Sequence, residues 1–288
     1  MPPQRKHRGL RCGRWRPPGL SLVLTRTNPR SEGATDGGRL QGGRGRRGVY
    51  RISTYLADVV VSHGVTINQF LVLADEPLLF HTGLRTTFPE TVSAVARLVP
   101  LERLRWLSFG HVEADECGAM NHYLAAAPQL EVAFGALGCR VSLQDMADRP
   151  PRSLAPGEAI DLGGRRVVVV PTPHAPHNLE AQVLYEETSR TLLCGDLFTQ
   201  LGPGPAVTTG CLIEAALDAE DVLRTAPPGD AVPRALEHLA DLEPRTLAVM
   251  HGSSFEGDGG TVLRELARAW PAHPSAAEGM LTAGWLTA

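Results

Sequence analysis

Four side chains that can bind a metal ion are packed into residues 111–116 (HVEADE): His111, Glu113, Asp115 and Glu116. Three carboxylates this close together repel one another in water, and a bound cation reverses that cost. The apolar run 104–109 just before them predicts a buried strand. Because ligands in α/β folds bind beyond the carboxyl ends of strands, the segment predicts one part of a metal site.

Three more strand-like runs later in the chain also end in histidine or aspartate. In chain order, the endings are His174 and His177 after 165–170, Asp196 after 191–194, and His251 after 245–250. A single ending of this kind is ordinary turn chemistry, since polar residues close many turns. Four such endings in one chain favour a shared site, to which either His174 or His177 can contribute an imidazole.

The rest of the pattern alternates strands with helices. Apolar runs are joined by turn residues, of which Gly163-Gly164 is the strongest hairpin signal. Helical patterns mark 89–98, 118–127, 212–224, 231–242 and 260–270. Hairpins interleaved with helices predict an α/β (α+β) fold in which helices cover two sheets.

Four short motifs resemble those of the metallo-β-lactamase superfamily: HVEADE at 111–116, PTPH at 171–174, CGD at 194–196 and MHG at 250–252. Within the superfamily they resemble the di-iron branch, which comprises flavodiiron proteins and their flavin-free, oxygen-binding relatives. The hydrolytic branch typically has histidine where this chain has Glu113. The resemblance covers residues 67–270 and implies an αββα sandwich of two mixed sheets covered by helices. A flavodoxin-like domain is not expected in this chain.

The resemblance also implies a ligand set for two non-haem irons. One iron would be bound by His111, Glu113 and His174, and the other by Asp115 and His251, with Asp196 bridging the two. A carboxylate in place of an imidazole adds negative charge and a hard oxygen donor, which favours iron or manganese over zinc. Iron is therefore the expected cofactor, with zinc or manganese as the alternative.

Glu116 departs from the family pattern, which usually has histidine at this position. It can bind the second iron, point away, hydrogen-bond a bound water, or cap the following helix, since acidic side chains stabilise helix starts. The family pattern favours His174 as the ligand and places His177 at the pocket mouth or against a ligand. We expect His81 to be a buried structural residue, although the superfamily often has aspartate near this strand end.

Composition limits what the other segments can do. Residues 1–48 are rich in arginine and glycine and lack periodic apolar residues, which predicts a disordered extension. The metal domain is expected over 49–270, and 271–288 is expected to be a C-terminal tail. A net charge of −3 argues against a nucleic-acid-binding core, and no apolar run is long enough to cross a membrane. Five irregularly spaced cysteines favour free thiols in a reducing cytoplasm.

Together these features predict a protein that binds or reduces O2 or NO at a His/carboxylate di-iron site. A separate flavoprotein or rubredoxin-type protein would supply its electrons, and a homodimeric state is left open. The alternative is a hydrolase in which two metals activate a water against an ester, thioester or lactam. A metal-free binding module is the least favoured reading, because every implied ligand position holds a competent side chain.

Overall fold

The computed structural model describes residues 21–26, 48–60 and 63–270 of the 288-residue chain. Its strands form two sheets of seven strands each. None of the helices in these ranges is long and apolar enough to span a bilayer.

The first sheet is mixed, and its strands lie side by side in chain order. They are β1 (Ser21–Arg26), β2 (Gly48–Val60), β3 (His63–Leu73), β4 (Leu78–Phe80), β5 (Trp106–Ser108), β6 (Glu131–Gly135) and β7 (Arg152–Leu154). Neighbours from β1 to β4 are antiparallel, whereas neighbours from β4 to β7 are parallel. The parallel half places several strand ends at one edge, where ligands of α/β folds gather.

The second sheet is also mixed and has the order β12-β14-β13-β11-β10-β9-β8. Its strands are β8 (Ala159–Asp161), β9 (Arg166–Pro171), β10 (Gln182–Glu186), β11 (Thr191–Leu193), β12 (Val207–Thr208), β13 (Thr246–Ala248) and β14 (Ser254–Glu256). The pair β11 and β13 is parallel, so the ends of both strands lie side by side.

Helices cover the outer face of each sheet. They are α1 (Phe88–Ala96), α2 (Ala114–Cys117), α3 (Met120–Ala126), α4 (Ala136–Gly138), α5 (Gln144–Met146), α6 (Ile213–Leu223), α7 (Ala231–Ala240) and α8 (Gly259–Ala269). Short 3₁₀ turns occupy Arg85–Thr87 and Leu101–Arg103, and a π-helical segment, Cys139–Leu143, joins α4 to α5. Apolar residues of α1 and α3 pack on the first sheet, and those of α6, α7 and α8 pack on the second.

The inner faces of the two sheets meet in a third apolar layer. The first sheet contributes Phe70 and Phe80, and the second contributes Val169, Leu184 and Leu193, all at most 1% exposed. Burial of these side chains is the main favourable term that holds the sheets together. The layers follow the order helix, sheet, sheet, helix, which confirms the predicted αββα sandwich.

The element positions predicted from the sequence agree with the structure in most places. The predicted strands 104–109, 165–170, 191–194 and 245–250 overlap β5, β9, β11 and β13. The predicted turn at Gly163-Gly164 joins β8 to β9, and both glycines have positive φ angles, 75° and 83°. Such angles suit glycine and match the twist of a two-residue hairpin.

The N-terminal segment differs in part from its prediction. Residues 21–26 lie inside the segment 1–48 that was expected to be disordered, yet they form β1 and pair with residues 50–55 of β2. A free sheet edge can order a short segment through main-chain hydrogen bonds alone, which composition does not reveal. Residues 1–20 and 27–47 and the expected tail 271–288 lie outside the described residues.

One side chain, Asn68 of β3, joins the two sheets near the end of β13. It is fully buried, and its Nδ2 donates to the carbonyl oxygens of Val249 at 2.8 Å and Gly252 at 3.0 Å. Its own backbone N–H donates to Met250. Asn68 therefore fixes the loop after β13 against the first sheet.

The variant Asn68→Ala is expected to lower the free energy of unfolding by about 1 to 3 kcal/mol, because it removes the side-chain donor to the buried carbonyl of Val249, whereas the carbonyl of Gly252 keeps a hydrogen bond from Arg51. Denaturant unfolding of the metal-free protein measures the change. The matched control is Asn121→Ala, which removes two hydrogen bonds at the surface, one donated to Met146 and one accepted from Asp148, and should cost about 1 kcal/mol or less because water can replace both. Equal losses in the two variants would contradict the role of Asn68.

Candidate metal centre

The predicted site residues come together where the two sheets meet. His111 and Glu113 follow β5 of the first sheet, and Asp115 lies in the short helix α2. Asp196 and His251 follow β11 and β13 of the second sheet. The site is therefore shared between the two sheets, and neither sheet contains it alone.

Two glycines allow the strand ends to approach so closely. A Cβ atom at Gly110 would lie 3.3 Å from the Cα of Gly195 and 2.9 Å from Oε1 of Glu116. Gly195 also has a left-handed backbone (φ 54°), which favours glycine. The carbonyl oxygen of Gly110 accepts a hydrogen bond from the backbone of Gln182 at 2.8 Å, which ties the loop after β5 to β10.

Four side chains form the first group of candidate ligands: His111, Glu113, His177 and Asp196. One ligand atom from each lies within 4.8 Å of all the others. Nε2 of His111 is 2.8 Å from Oε2 of Glu113 and 2.9 Å from Nε2 of His177. Oδ2 of Asp196 is 3.8 Å from Nε2 of His111 and 3.6 Å from Nε2 of His177. The four atoms converge on one small region, as the ligands of a single ion do.

A second group lies on the other side of Asp196. Nε2 of His251 is 3.2 Å from Oδ2 of Asp115 and 3.2 Å from Oδ1 of Asp196. Nδ1 of His251 lies 2.7 Å from the carbonyl oxygen of Thr66. A carbonyl only accepts, so Nδ1 carries the hydrogen and Nε2 is the nitrogen that faces the carboxylates. Asp196 thus directs one carboxylate oxygen to each group.

The structure differs from the expected ligand set at one position. His177 lies in the first group, whereas His174 has an exposed side chain and a left-handed backbone (φ 63°). The backbone N–H of His174 donates to the carbonyl oxygen of Asn178 at 2.8 Å, which closes the turn with His174 at its tip. The family pattern of prolines does not reveal which way this turn faces, and the structure brings His177 to the first group in place of the predicted His174.

Glu116 lies behind His111 and outside both groups. Its carboxylate is fully buried and accepts a hydrogen bond from the backbone N–H of His111 at 2.6 Å. It does not cap α2, since the residue at the cap position is Glu113, without a side-chain capping bond. Oε1 of Glu116 is 3.3 Å from Nε2 of the buried His81. This pair was not predicted from the sequence. The feature that could have indicated it is a histidine directly after β4.

Opposite charges shift the pKa values of the site residues. Burial lowers the pKa of His111, but the carboxylates of Glu116 and Glu113 outweigh burial and raise it to about 12. Burial also opposes a charge on His251, and two neighbouring aspartates raise its pKa well above the ordinary value. Hydrogen bonds from His111 and His177 lower the pKa of Glu113 to about 2. Without a metal, protons on the imidazoles thus offset the charge of the carboxylates.

The donor atoms suit metal ions. Oδ1 of Asp115 is buried and has no hydrogen-bond partner. Buried polar atoms in folded proteins are nearly always satisfied, so this oxygen indicates a missing partner such as a cation. Imidazole nitrogens mixed with carboxylate oxygens are ligands for iron, manganese and zinc.

A cavity of about 400 Å³ lies beside Glu113 of the first group. Its lining includes Glu113, Val112, Cys117, Met120 and Met146. The side chain of Glu113 is 53% exposed, whereas that of His111 is 3% exposed. Glu113 is therefore the more exposed of these two candidate ligands, and it borders the cavity.

The αββα sandwich, with imidazoles and carboxylates gathered at its strand ends, defines a metallo-β-lactamase-like domain. Residues 65–252 match the model of a family described as ODP family beta lactamase. The match covers more than half of the 288 residues, and the chain belongs to this family. The predicted resemblance to the metallo-β-lactamase superfamily is confirmed.

Curated relatives include both redox and hydrolytic proteins. A rubredoxin-oxygen oxidoreductase from Megalodesulfovibrio gigas is 25% identical over 139 residues, which cover 48% of this chain and 34% of that protein. A hydroxyacylglutathione hydrolase from Acidiphilium cryptum is 34% identical over 158 residues, which cover 51% of this chain and 59% of that protein. The chain thus spans less than two thirds of the length of these relatives.

Solved structures of flavodiiron proteins share the fold. A metal-soaked flavodiiron core from Synechocystis sp. superposes with a TM-score of 0.68 at 22% identity, covering 78% of this chain and 59% of that chain. The flavodiiron protein from Giardia intestinalis superposes with a TM-score of 0.66 at 16% identity, covering 77% of this chain and 57% of that chain. These matches confirm the predicted fold class.

The position of His177 generates a paired test. His177→Ala is expected to lower the affinity for Zn²⁺ by about 100-fold or more, which exceeds the usual loss for a residue that only supports a ligand. His174→Ala, three residues away and exposed, should leave the affinity unchanged. Competition with a chromophoric chelator measures both. Loss of affinity in His174→Ala alone would show that the loop turns the other imidazole toward the metal.

The pKa shifts predict a pH dependence of metal binding. A cation needs the lone pairs of His111 and His251, which hold protons at neutral pH because their pKa values are raised. Binding must therefore release protons, and the affinity should increase as the pH rises. We expect about a tenfold gain per pH unit for each proton displaced, measured from about pH 6 to about pH 8 with correction for the chelator. An affinity that does not change with pH would contradict the proposed protonation of the site.

Proposed function

We propose that this protein is a non-haem di-iron protein that binds or reduces O2 or NO with electrons from a separate donor. The observation that carries the proposal is the position of Asp196 between two groups of donors. Its Oδ2 lies 3.6 Å from His177 Nε2, and its Oδ1 lies 3.2 Å from His251 Nε2. One carboxylate between two groups is the arrangement that two neighbouring cations require, because its negative charge offsets their repulsion.

The donor set favours iron. One metal would be held by His111, Glu113 and His177, and the other by Asp115 and His251, with Asp196 between them. Three carboxylates in such a set supply hard oxygen donors, which suit iron or manganese in higher coordination numbers than the four typical of zinc. Two ferrous ions can supply one electron each to a bound oxidant.

The protein's own residues would control access and charge. Glu113 lines the 400 Å³ cavity, which supports an approach of a small ligand to the first metal. Full reduction of O2 to water takes four electrons, twice what two ferrous ions hold. Catalytic turnover would therefore need a donor such as a flavoprotein or a rubredoxin-type protein, in agreement with the name of the Megalodesulfovibrio gigas relative.

A hydrolase of the metallo-β-lactamase type is the second candidate function. It is favoured by the 34% identity to the hydroxyacylglutathione hydrolase. Two zinc or manganese ions at the same positions would activate a water against an ester or thioester. Glu113 argues against this candidate, because a carboxylate at that position makes the first group less suited to zinc.

Metal analysis discriminates between the two functions. Protein made in iron-replete medium should contain about two irons per chain, since the donor set suits iron. The matched variants are Asp196→Ala, which should lose one or both metals, and Asp218→Ala on the exposed side of α6, which should lose neither. Stopped-flow spectra of the reduced protein mixed with O2 should show a rapid change. Two zincs per chain, no reaction with O2 and turnover of a thioester would instead establish the hydrolase.

A further inference from the structure

Glu116 holds His111 by two separate parts of that residue. Its Oε2 accepts the backbone N–H of His111 at 2.6 Å, and its Oε1 is 3.2 Å from Nδ1 of the same imidazole. The opposite ring nitrogen, Nε2, lies 2.8 Å from Glu113 and 2.9 Å from His177. A carboxylate at Nδ1 favours a hydrogen on that nitrogen, which leaves the lone pair of Nε2 for a cation.

The surroundings of Glu116 keep its carboxylate away from the metal position. A Cβ at Gly110 would lie 2.9 Å from Oε1 and 3.0 Å from Oε2, and a Cβ at Gly195 would lie 3.5 Å from Oε1. The carboxylate thus lies against the bare backbone of both loops. The backbone of Glu116 is also fixed, because its carbonyl oxygen accepts the N–H of Thr82 at 2.6 Å and the hydroxyl of Thr82 at 3.0 Å. Glu116 therefore supports a ligand and is not one itself.

His81 also lies against the carboxylate of Glu116. It is 0% exposed, and its Nδ1 lies 3.1 Å from the carbonyl oxygen of Asn68, which can only accept a hydrogen bond. Nδ1 therefore carries a hydrogen, and Nε2 faces Oε1 of Glu116 at 3.3 Å. The imidazole is thus fixed at one nitrogen and limits the movement of the Glu116 carboxylate with the other.

We infer that His81 and Glu116 act together as positioning residues for the metal centre: Glu116 orients His111, and His81 holds the carboxylate of Glu116 in place. The inference rests on the proposed metal-binding function, but not on the identity of the metal. His81 has a left-handed backbone (φ 67°), which is uncommon outside glycine, although histidine adopts it more often than most residues. The fold holds this conformation at the end of β4, where it places the imidazole beside Glu116.

The test compares Glu116→Gln, His81→Gln and the double variant, with Zn²⁺ alone as the probe. Glu116→Gln should bind two ions per chain with about 10- to 100-fold lower affinity, the range expected for a residue that supports a ligand. His81→Gln should also weaken binding, and the double variant should be no weaker than Glu116→Gln, because partners in one unit are not additive. His122→Gln on the exposed side of α3 is the matched control and should change nothing.

A second readout follows the imidazole directly and does not depend on metal. In the wild-type protein, with and without Zn²⁺, the Nδ1 hydrogen of His111 should give an NMR signal protected from solvent exchange. In Glu116→Gln this protection should fall, while the melting curve of the metal-free variant shows whether it is folded. Loss of one ion from the stoichiometry would make Glu116 a ligand and overturn the inference. The inference would also be overturned if Glu116→Gln kept the wild-type protection or the wild-type affinity for Zn²⁺. Additive effects of the two substitutions in the double variant would overturn it as well. Failure of the di-iron function would show separately, as wild-type protein that does not react with O2.

Discussion

Negative charge held at the junction of the two sheets is the constraint on which the rest of this structure depends. Glu113, Asp115, Glu116 and Asp196 lie within a few residues of β5 and β11, and Glu116 is fully buried. Carboxylates this close and this dry are unstable without positive partners. Each has a histidine at hydrogen-bonding or ion-pair distance, and the pKa values of His111 and His251 are raised as a result.

Backbone geometry brings these carboxylates and histidines together as much as side-chain contacts do. Gly110 and Gly195 let two loops from different sheets touch, and the carboxylate of Glu116 fits against them. Asn68 then ties the loop after β13 to the first sheet. The apolar layer between the sheets supplies the stability, whereas these few contacts determine the position of the ligands. The same scaffold is shared with flavodiiron proteins at 22% identity or less in the solved structures, which shows that the fold survives wide changes in sequence.

Sequence patterns revealed the strand ends better than they revealed the direction of side chains. β5, β11 and β13 are apolar runs closed by polar residues, so the positions of His111, Asp196 and His251 followed from local periodicity. His174 and His177 lie in one turn, and which of them faces the site depends on a hydrogen bond from His174 to Asn178. The place of Glu116 depends on glycines in two distant loops, and the pairing of β1 depends on a free edge of β2. Such long-range contacts leave no local periodic signal.

The division of the site between the two sheets has a consequence for how the protein matures. The first sheet supplies His111, Glu113 and Asp115, and the second supplies His177, Asp196 and His251. Either sheet alone supplies too few ligand atoms around one position to bind an ion tightly. Tight metal capture therefore has to wait until the sandwich has closed. A chain that is still being synthesised or is partly unfolded would bind reactive metal only weakly. A bound ion would in turn stabilise the folded state against separation of the two sheets.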